Sequence, residues 1–294
     1  MDSVKSNASY SLTFADGFTW AITAEGAIGV DIAQLLAKTM LFSSVKSKWQ
    51  RKMVLKNSST RVNRPNPSLF RKSLNSSIDS GMPIDCQLTA PKNETDLAFQ
   101  LLALSMIFCS QAETTGGILI HGALAEINGQ GVILAGPSDV GKTTASLRLP
   151  QPWQSLSDDC TLIVLDKEGN YRAHPWPTWS SFLFGGNGSS WNVQYSVPLQ
   201  GIFILTQSHE NRLEPIGKGQ AVCLLTEAEE QAWWALSALS GELAEEDKKK
   251  KQHLSLQRFN NVCKLTKKIP ANILHISRTG PFWEEIYKVL PPSD

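Results

Sequence analysis

Gly131-Val132-Ile133-Leu134-Ala135-Gly136-Pro137-Ser138-Asp139-Val140-Gly141-Lys142-Thr143-Thr144 is the stretch on which the fold turns. Its first five residues read as a short, fully buried strand, and Thr144 to Leu149 read as the start of a helix. Between them, residues 136–143 match G-x-x-x-x-G-K-[ST] in full. Glycines in such a turn let backbone N–H groups approach phosphate oxygens with no Cβ in the way, and the following helix adds its dipole to the same anion. Gly136, Pro137, Ser138, Asp139, Val140, Gly141, Lys142, Thr143 and Thr144 are therefore the candidate ATP-binding residues. Within them, Lys142 is placed for the β- and γ-phosphates and the Thr143 hydroxyl for Mg²⁺.

Working outward, the next acidic residues are Asp158 and Asp159, at the start of an expected strand over Cys160 to Leu165. Adjacent carboxylates on an extended chain point in opposite directions, so one can hold the metal while the other faces an acceptor. A hydroxyl is a poor nucleophile until something takes its proton, and a positioned Asp is suited to that task. Upstream, His121 lies in an apolar strand over Gly117 to Ile127. Alone among Ile118, Leu119, Ile120 and Leu124, it reads first as a structural histidine.

His121-Gly122, the loop at 136–143 and Leu156-Ser157-Asp158-Asp159 together resemble bacterial HPr kinase/phosphorylase, over roughly residues 115 to 165. The resemblance implies a P-loop kinase core of the type shared with phosphoenolpyruvate carboxykinase. It implies Asp159 as proton acceptor, Lys142 and His121 as catalytic-site partners, and Thr143 as a magnesium ligand. Between Glu168 and Glu210 the chain has no Asp or Glu. The Glu-containing segment with which that family ligates metal and runs the reverse, phosphorylase reaction thus has no counterpart, and Asp158 is left as the second metal ligand. The segment His174-Pro175-Trp176-Pro177-Thr178-Trp179-Ser180 is similar to smaller relatives in peptide-modification cassettes, most of all the SynChlorMet cassette protein C type, with lasso-peptide kinases as cousins. For those groups the implied substrate is a short precursor peptide or small protein bearing a Ser or Thr, handled alongside companion cassette enzymes. A Mg-ATP-dependent Ser/Thr phosphotransferase is the expected function. The alternatives are an ATP-binding scaffold that assists companion enzymes, a small-molecule kinase or a plain ATPase. Taken by itself, the 174–180 segment offers either two Trp rings gripping a peptide between rigid prolines or a loop capping the core.

Composition bounds the rest. The 294 residues suggest about two domains, and 41% hydrophobic with 19% charged residues is globular. A net charge of +1 argues against a dominant nucleic-acid-binding role. The best apolar run, Leu101 to Cys109, is about half a bilayer span, so no membrane partner is expected. No apolar stretch follows Met1-Asp2-Ser3-Val4-Lys5-Ser6, and the five cysteines form no Cys-x-x-Cys pair. A cytoplasmic protein with reduced thiols is expected; nothing in the sequence sets its oligomeric state.

Alternation about Asp16-Gly17 predicts a hairpin over residues 9 to 23, followed by a helix over Ile28 to Phe42. From Ser43 to Ile78 nine Lys and Arg residues occur with no Asp or Glu, which reads as a mobile basic insertion. Helices are expected over Leu97 to Gln111, Glu227 to Leu243, Leu254 to Leu265 and Phe282 to Leu290, with the charged 245–251 stretch on the surface. Late strands fall at Gly201 to Leu205 and Ile273 to Ile276. The fold class is α/β: a mixed sheet with flanking helices over 96–294, carrying the nucleotide site, preceded by a small hairpin–helix module over 1–95.

Overall fold

The computed structural model describes residues 8–45, 48–58, 82–179, 189–238 and 245–292, and has a mixed α/β fold in two compact units. One unit comprises Met1–Thr114, Pro177–Gln194 and Trp234–Leu254; the other comprises Thr115–Trp176, Tyr195–Trp233 and Ser255–Asp294. The sequence reading draws one boundary, after residue 95. In the fold the whole of helix Glu94–Thr114 groups with the first unit, which also takes two later segments.

The first unit is built on a five-stranded sheet. Strands β1 (Ala8–Thr13) and β2 (Thr19–Glu25) form the expected antiparallel hairpin, closed where Asp16 Oδ1 accepts from Phe18 N at 2.8 Å. Helix α1 (Ala27–Met40) follows, then β3 (Ser43–Ser44), β4 (Arg51–Asn57), β5 (Ile84–Leu88) and helix α2 (Glu94–Thr114). The strand order is β3-β1-β2-β4-β5, with β4 parallel to both neighbours.

This corrects the reading of 43–78 as one mobile basic insertion. Residues 51–57 are an interior strand in which Met53, Val54 and Leu55 are buried in succession. Parallel strands covered on both faces carry continuous apolar runs rather than alternation, and the flanking lysines hid this one. Arg51 is itself buried, with its guanidinium 5.8 Å from the Trp20 ring centre and bonded to Gln111. Of the rest of that window, residues 46–47 and 59–78 lie outside the described residues. By length and mean hydropathy α2 passes for a membrane span, yet 67% of its most apolar window is buried, so it is the core helix the sequence predicts.

The second unit surrounds an eight-stranded sheet made of β6 (Ile118–Ile127), β7 (Gln130–Ala135), β8 (Gln154–Ser157), β9 (Cys160–Leu165), β10 (Tyr171–Trp176), β11 (Val197–Gln207), β12 (Arg212–Pro215) and β13 (Ala271–Ile276). The main path runs β10-β9-β6-β7-β11-β13-β12, with β8 beside β6. Strands β7, β11 and β13 are mutually parallel, while β6 and β9 run antiparallel to their partners. The start of β11 also pairs with β10, which curls that part of the sheet.

Period-two alternation gives the sheet two apolar faces. Ile118, Ile120, Leu124, Ile133, Ile202 and Ile204 pack with Leu225 of helix α4 (Lys218–Ala238) and with Val262 and Leu265 of helix α5 (Glu245–Lys268). The opposite face, Ala123, Ala125, Val132, Leu134, Phe203 and Leu205, packs with Ala145 of α3 (Lys142–Arg148), with Trp153, and with Phe282 and Ile286 at α6 (Trp283–Tyr287). Leucine-sized side chains fully buried in such layers each contribute about 1.5–3 kcal/mol.

Two helices differ from expectation. The charged stretch 245–251 lies largely on the surface as expected, but it is the opening of α5 rather than a separate segment before a helix at Leu254. Glu245, Glu246 and Asp247 fill its first turn and Lys267 and Lys268 its last, complementing the helix dipole. Lys248 reaches Glu245 at 2.6 Å and Lys250 reaches Glu246 at 2.7 Å. Helix α4 starts nine residues before the position predicted, and residues 239–244 lie outside the described residues.

Candidate functional site

At Ala135 strand β7 ends and the chain turns through Gly136 (φ 148°), Asp139 (φ 63°) and Gly141 (φ 101°) before α3 begins at Lys142. At Gly141 an added Cβ would meet nothing within 4 Å, so the left-handed backbone, not lack of room, selects glycine there. The Lys142 side chain folds back over the turn, and Nζ donates to Gly136 O at 3.1 Å and Pro137 O at 3.0 Å. Lys142 is 5% exposed. Burial holds its ammonium below the ordinary lysine value, against the opposing pull of Asp159 and, more weakly, Asp139.

The carboxylate of Asp159 is the meeting point of the site. Its Oδ1 lies 2.7 Å from His121 Nε2 and 4.0 Å from Lys142 Nζ, the first a short hydrogen bond and the second a Coulombic contact. Sheet register explains the meeting: His121 is opposite Cys160 on β9, so it stands beside the bend at 158–159 that leads into that strand. The bend is tied on both sides. Ser157 Oγ donates to Cys160 O at 2.7 Å and accepts from Leu124 N at 3.2 Å, and Thr161 Oγ1 donates to Gly122 O at 2.8 Å. The other ring nitrogen of His121, Nδ1, faces Gln231 Oε1 on α4 at 2.9 Å.

The candidates named from sequence therefore divide clearly. His121, Lys142 and Asp159 converge on one oxygen, and the 136–141 turn lies against them. Asp158 is half-buried beside them; burial pushes its carboxyl up, its own backbone N–H works against that, and the Asp159 charge adds to the rise. Thr143 and Thr144 sit exposed in the first turn of α3, and Pro137, Ser138 and Asp139 are exposed along the turn. Cys160, next to Asp159, is buried and its thiol is pushed up by that burial. No group of three or more His, Cys, Asp or Glu set to hold a metal occurs among the described residues.

A cleft of about 500 Å³ opens beside the turn. Residues 137–140 form one wall, Ile204 to Gln207 another, and Gln220, Leu224 and Ile273 complete it. Gln207 Nε2 donates to Asp139 O and Val140 O, each at 3.4 Å, which ties the turn to the end of β11. Sequence reasoning missed Gln207, Gln220, Leu224 and Gln231. The first was discoverable, because it ends a parallel strand, and open α/β sheets bind ligands at the carboxyl ends of such strands. The three on α4 lie on a helix with no motif to mark them.

The segment His174–Ser180 is resolved in favour of the core for its described part. Residues Tyr171–Trp176 form β10 against β9, His174 is fully buried, and Trp176 and Trp179 are each 1% exposed. Neither ring is available to grip a peptide. Pro175 is tolerated because β11 pairs with β10 only at Arg172 and Ala173. Ser180 lies outside the described residues. The neighbouring pair on α4 splits: Trp233 is buried under the Arg258 guanidinium, 3.6 Å from its ring centre, while Trp234 is 71% exposed.

A buried ammonium, a carboxylate and an imidazole in mutual reach, beside an open glycine turn, can seat an anion and accept a proton from a neighbouring group. A search among curated proteins finds no match. The family model of the SynChlorMet cassette protein ScmC matches residues 84–291, a span that includes His121, the glycine turn, Asp158 and Asp159, and the chain belongs to that family.

Proposed function

We propose that this protein is a Mg-ATP-dependent phosphotransferase, related to HPr kinase/phosphorylase, that moves the γ-phosphate of ATP to a Ser or Thr hydroxyl of a short precursor peptide or small protein. Its setting would be the cytoplasm, alongside companion enzymes of the cassette its family is named for. The observation that carries this reading is the Asp159 carboxylate, 2.7 Å from His121 and 4.0 Å from Lys142, at the lip of a turn matching G-x-x-x-x-G-K-[ST].

The chemistry follows from these side chains. Asp159 accepts the acceptor hydroxyl's proton while that oxygen bonds to the γ-phosphorus and the bond from phosphorus to the β,γ-bridging oxygen breaks; ADP departs with the bridging oxygen. Lys142 uses two of its three N–H donors on Gly136 O and Pro137 O and exchanges them for phosphate oxygens, which recovers the charge pairing its burial costs. His121 holds Asp159 in line. The aliphatic cleft walls at Ile204, Leu224 and Ile273 suit a flat base, with the Gln207 and Gln220 amides as its polar partners. Magnesium takes only one or two protein oxygens beside substrate phosphates, so Thr143 and Asp158 fit it without a three-ligand cluster. When bound there it would neutralise charge on the β- and γ-phosphates.

The lack of any Asp or Glu between Glu168 and Glu210 favours one alternative, an ATP-binding scaffold for companion enzymes. Incubation with γ-labelled ATP, Mg²⁺ and Ser/Thr peptides, in parallel with Asp159→Asn, separates the two. Label transfer that disappears in Asp159→Asn, with ATP still bound, supports the kinase. Binding with no transfer to any peptide assigns the scaffold.

A further inference from the structure

His121 is held from both sides, and only one of its partners belongs to the motif. Nε2 meets Asp159 Oδ1 at 2.7 Å, and Nδ1 meets Gln231 Oε1 at 2.9 Å, from the middle of α4. A carboxylate only accepts hydrogen bonds, so a hydrogen on Nε2 points at Asp159. A side-chain amide has an acceptor oxygen and a donor NH₂ at one end, and can serve the second ring nitrogen with either. Oε1, the atom facing the ring, can accept from a hydrogen on Nδ1; a half-turn of the amide presents the NH₂ to a bare Nδ1 instead. Gln231 can thus keep the imidazole plane aligned on Asp159 whichever hydrogens the ring carries.

We infer that Gln231 is a positioning residue of this site: it fixes the ring orientation of His121, and through it the Asp159 carboxylate that takes the acceptor's proton. The inference rests on the phosphotransfer reading for its kinetic consequence, but not for its structural one. Misplacing a reacting group by about 1 Å costs about 10²-fold in rate, and an imidazole freed on one side rotates by at least that much at its far nitrogen.

The test compares full-length wild type with Gln231→Met, which keeps side-chain length without the amide. With ¹⁵N-labelled histidine, the wild type should show a single, slowly exchanging Nε2–H signal for His121, assigned by its loss in His121→Asn. Gln231→Met should replace it with an exchange-broadened signal. In the γ-phosphate transfer assay, Gln231→Met should lower kcat about 10²-fold with KM for ATP unchanged. An unchanged His121 signal in Gln231→Met, or a Gln231→Met protein that transfers phosphate as fast as wild type, overturns the inference. If wild type transfers no phosphate, the kinase reading fails, and the nitrogen signals still decide the role of Gln231.

Discussion

Gly122 follows His121 on β6 and pairs with Ala135, the last strand residue before the glycine turn. A Cβ at this position would lie 2.7 Å from Ile133 Cγ2, 3.2 Å from Leu134 O and 3.3 Å from Ala135 Cα. Two of those neighbours are backbone atoms and cannot rotate away. The third belongs to a fully buried, β-branched side chain with little rotamer freedom. In Gly122→Ala the added methyl must therefore separate β6 from β7 by a few tenths of an ångström, at a cost of about 1–3 kcal/mol. At about 2–4 °C per kcal/mol for a domain of this size, Tm falls by about 2–12 °C. Ile133→Ala alone costs about 2–5 kcal/mol because it opens a cavity. In the double variant the new methyl enters that cavity, so the combined loss is smaller than the two single losses added, by at least about 1 kcal/mol. Urea denaturation of the four proteins, followed by tryptophan fluorescence, measures the cycle. Additivity within about 0.5 kcal/mol, or a Gly122→Ala protein as stable as wild type, refutes the claim that the residue after His121 must be glycine for packing reasons.

Three further outcomes follow from other parts of the fold. Burial raises the Asp158 carboxyl, so its charge opposes folding: the penalty is complete above the raised folded value and absent below the ordinary one. Asp158→Asn should accordingly melt higher than wild type at pH 7, with the difference vanishing as pH falls below the ordinary Asp value; a difference that grows on acidification contradicts the sign. Arg258→Ala removes the cation 3.4 Å from the buried Glu229 carboxylate and the lid over Trp233, and should cost about 3–5 kcal/mol in denaturant titrations, against a near-neutral result if the pair were solvated. Of the cysteines, exposed Cys223 should label first with a maleimide, while buried Cys86, Cys109 and Cys160 should react only on unfolding; early labelling of Cys160 by mass spectrometry would contradict its burial next to Asp159.

The parts of this fold that were legible in the sequence are those where local pattern and tertiary role coincide. The strand–glycine–helix run at 131–148 announces itself because its backbone requirements restrict residue type, and the hairpin at 8–25 does so through alternation broken by Asp-Gly. Lys142 could be named from the glycine-turn motif, and His121 and Asp159 only through the resemblance to HPr kinase/phosphorylase; the pairing of β6 with β9 that brings them together is written in neither stretch alone. Strand β4 was misread because its charge density drew attention from the buried Met53-Val54-Leu55 run. Trp176 and Trp179 were left open because an indole beside prolines looks alike in a grip and in a core until its neighbours are known. Gln231 gave no signal at all: its contribution is a contact across 110 residues of chain, which no local pattern encodes.

The central claim is that the 136–143 turn, with Lys142, seats the triphosphate of ATP beside Asp159. Calorimetric titration of Mg-ATP into wild type and Lys142→Met, with thermal unfolding of each at rising ATP, tests it most directly. The account predicts one-to-one binding by wild type with a Tm that climbs with ATP concentration, and a Lys142→Met protein that is folded without ATP but binds at least tenfold more weakly and shows little shift. Equal affinity and an equal thermal shift in the two proteins would contradict it.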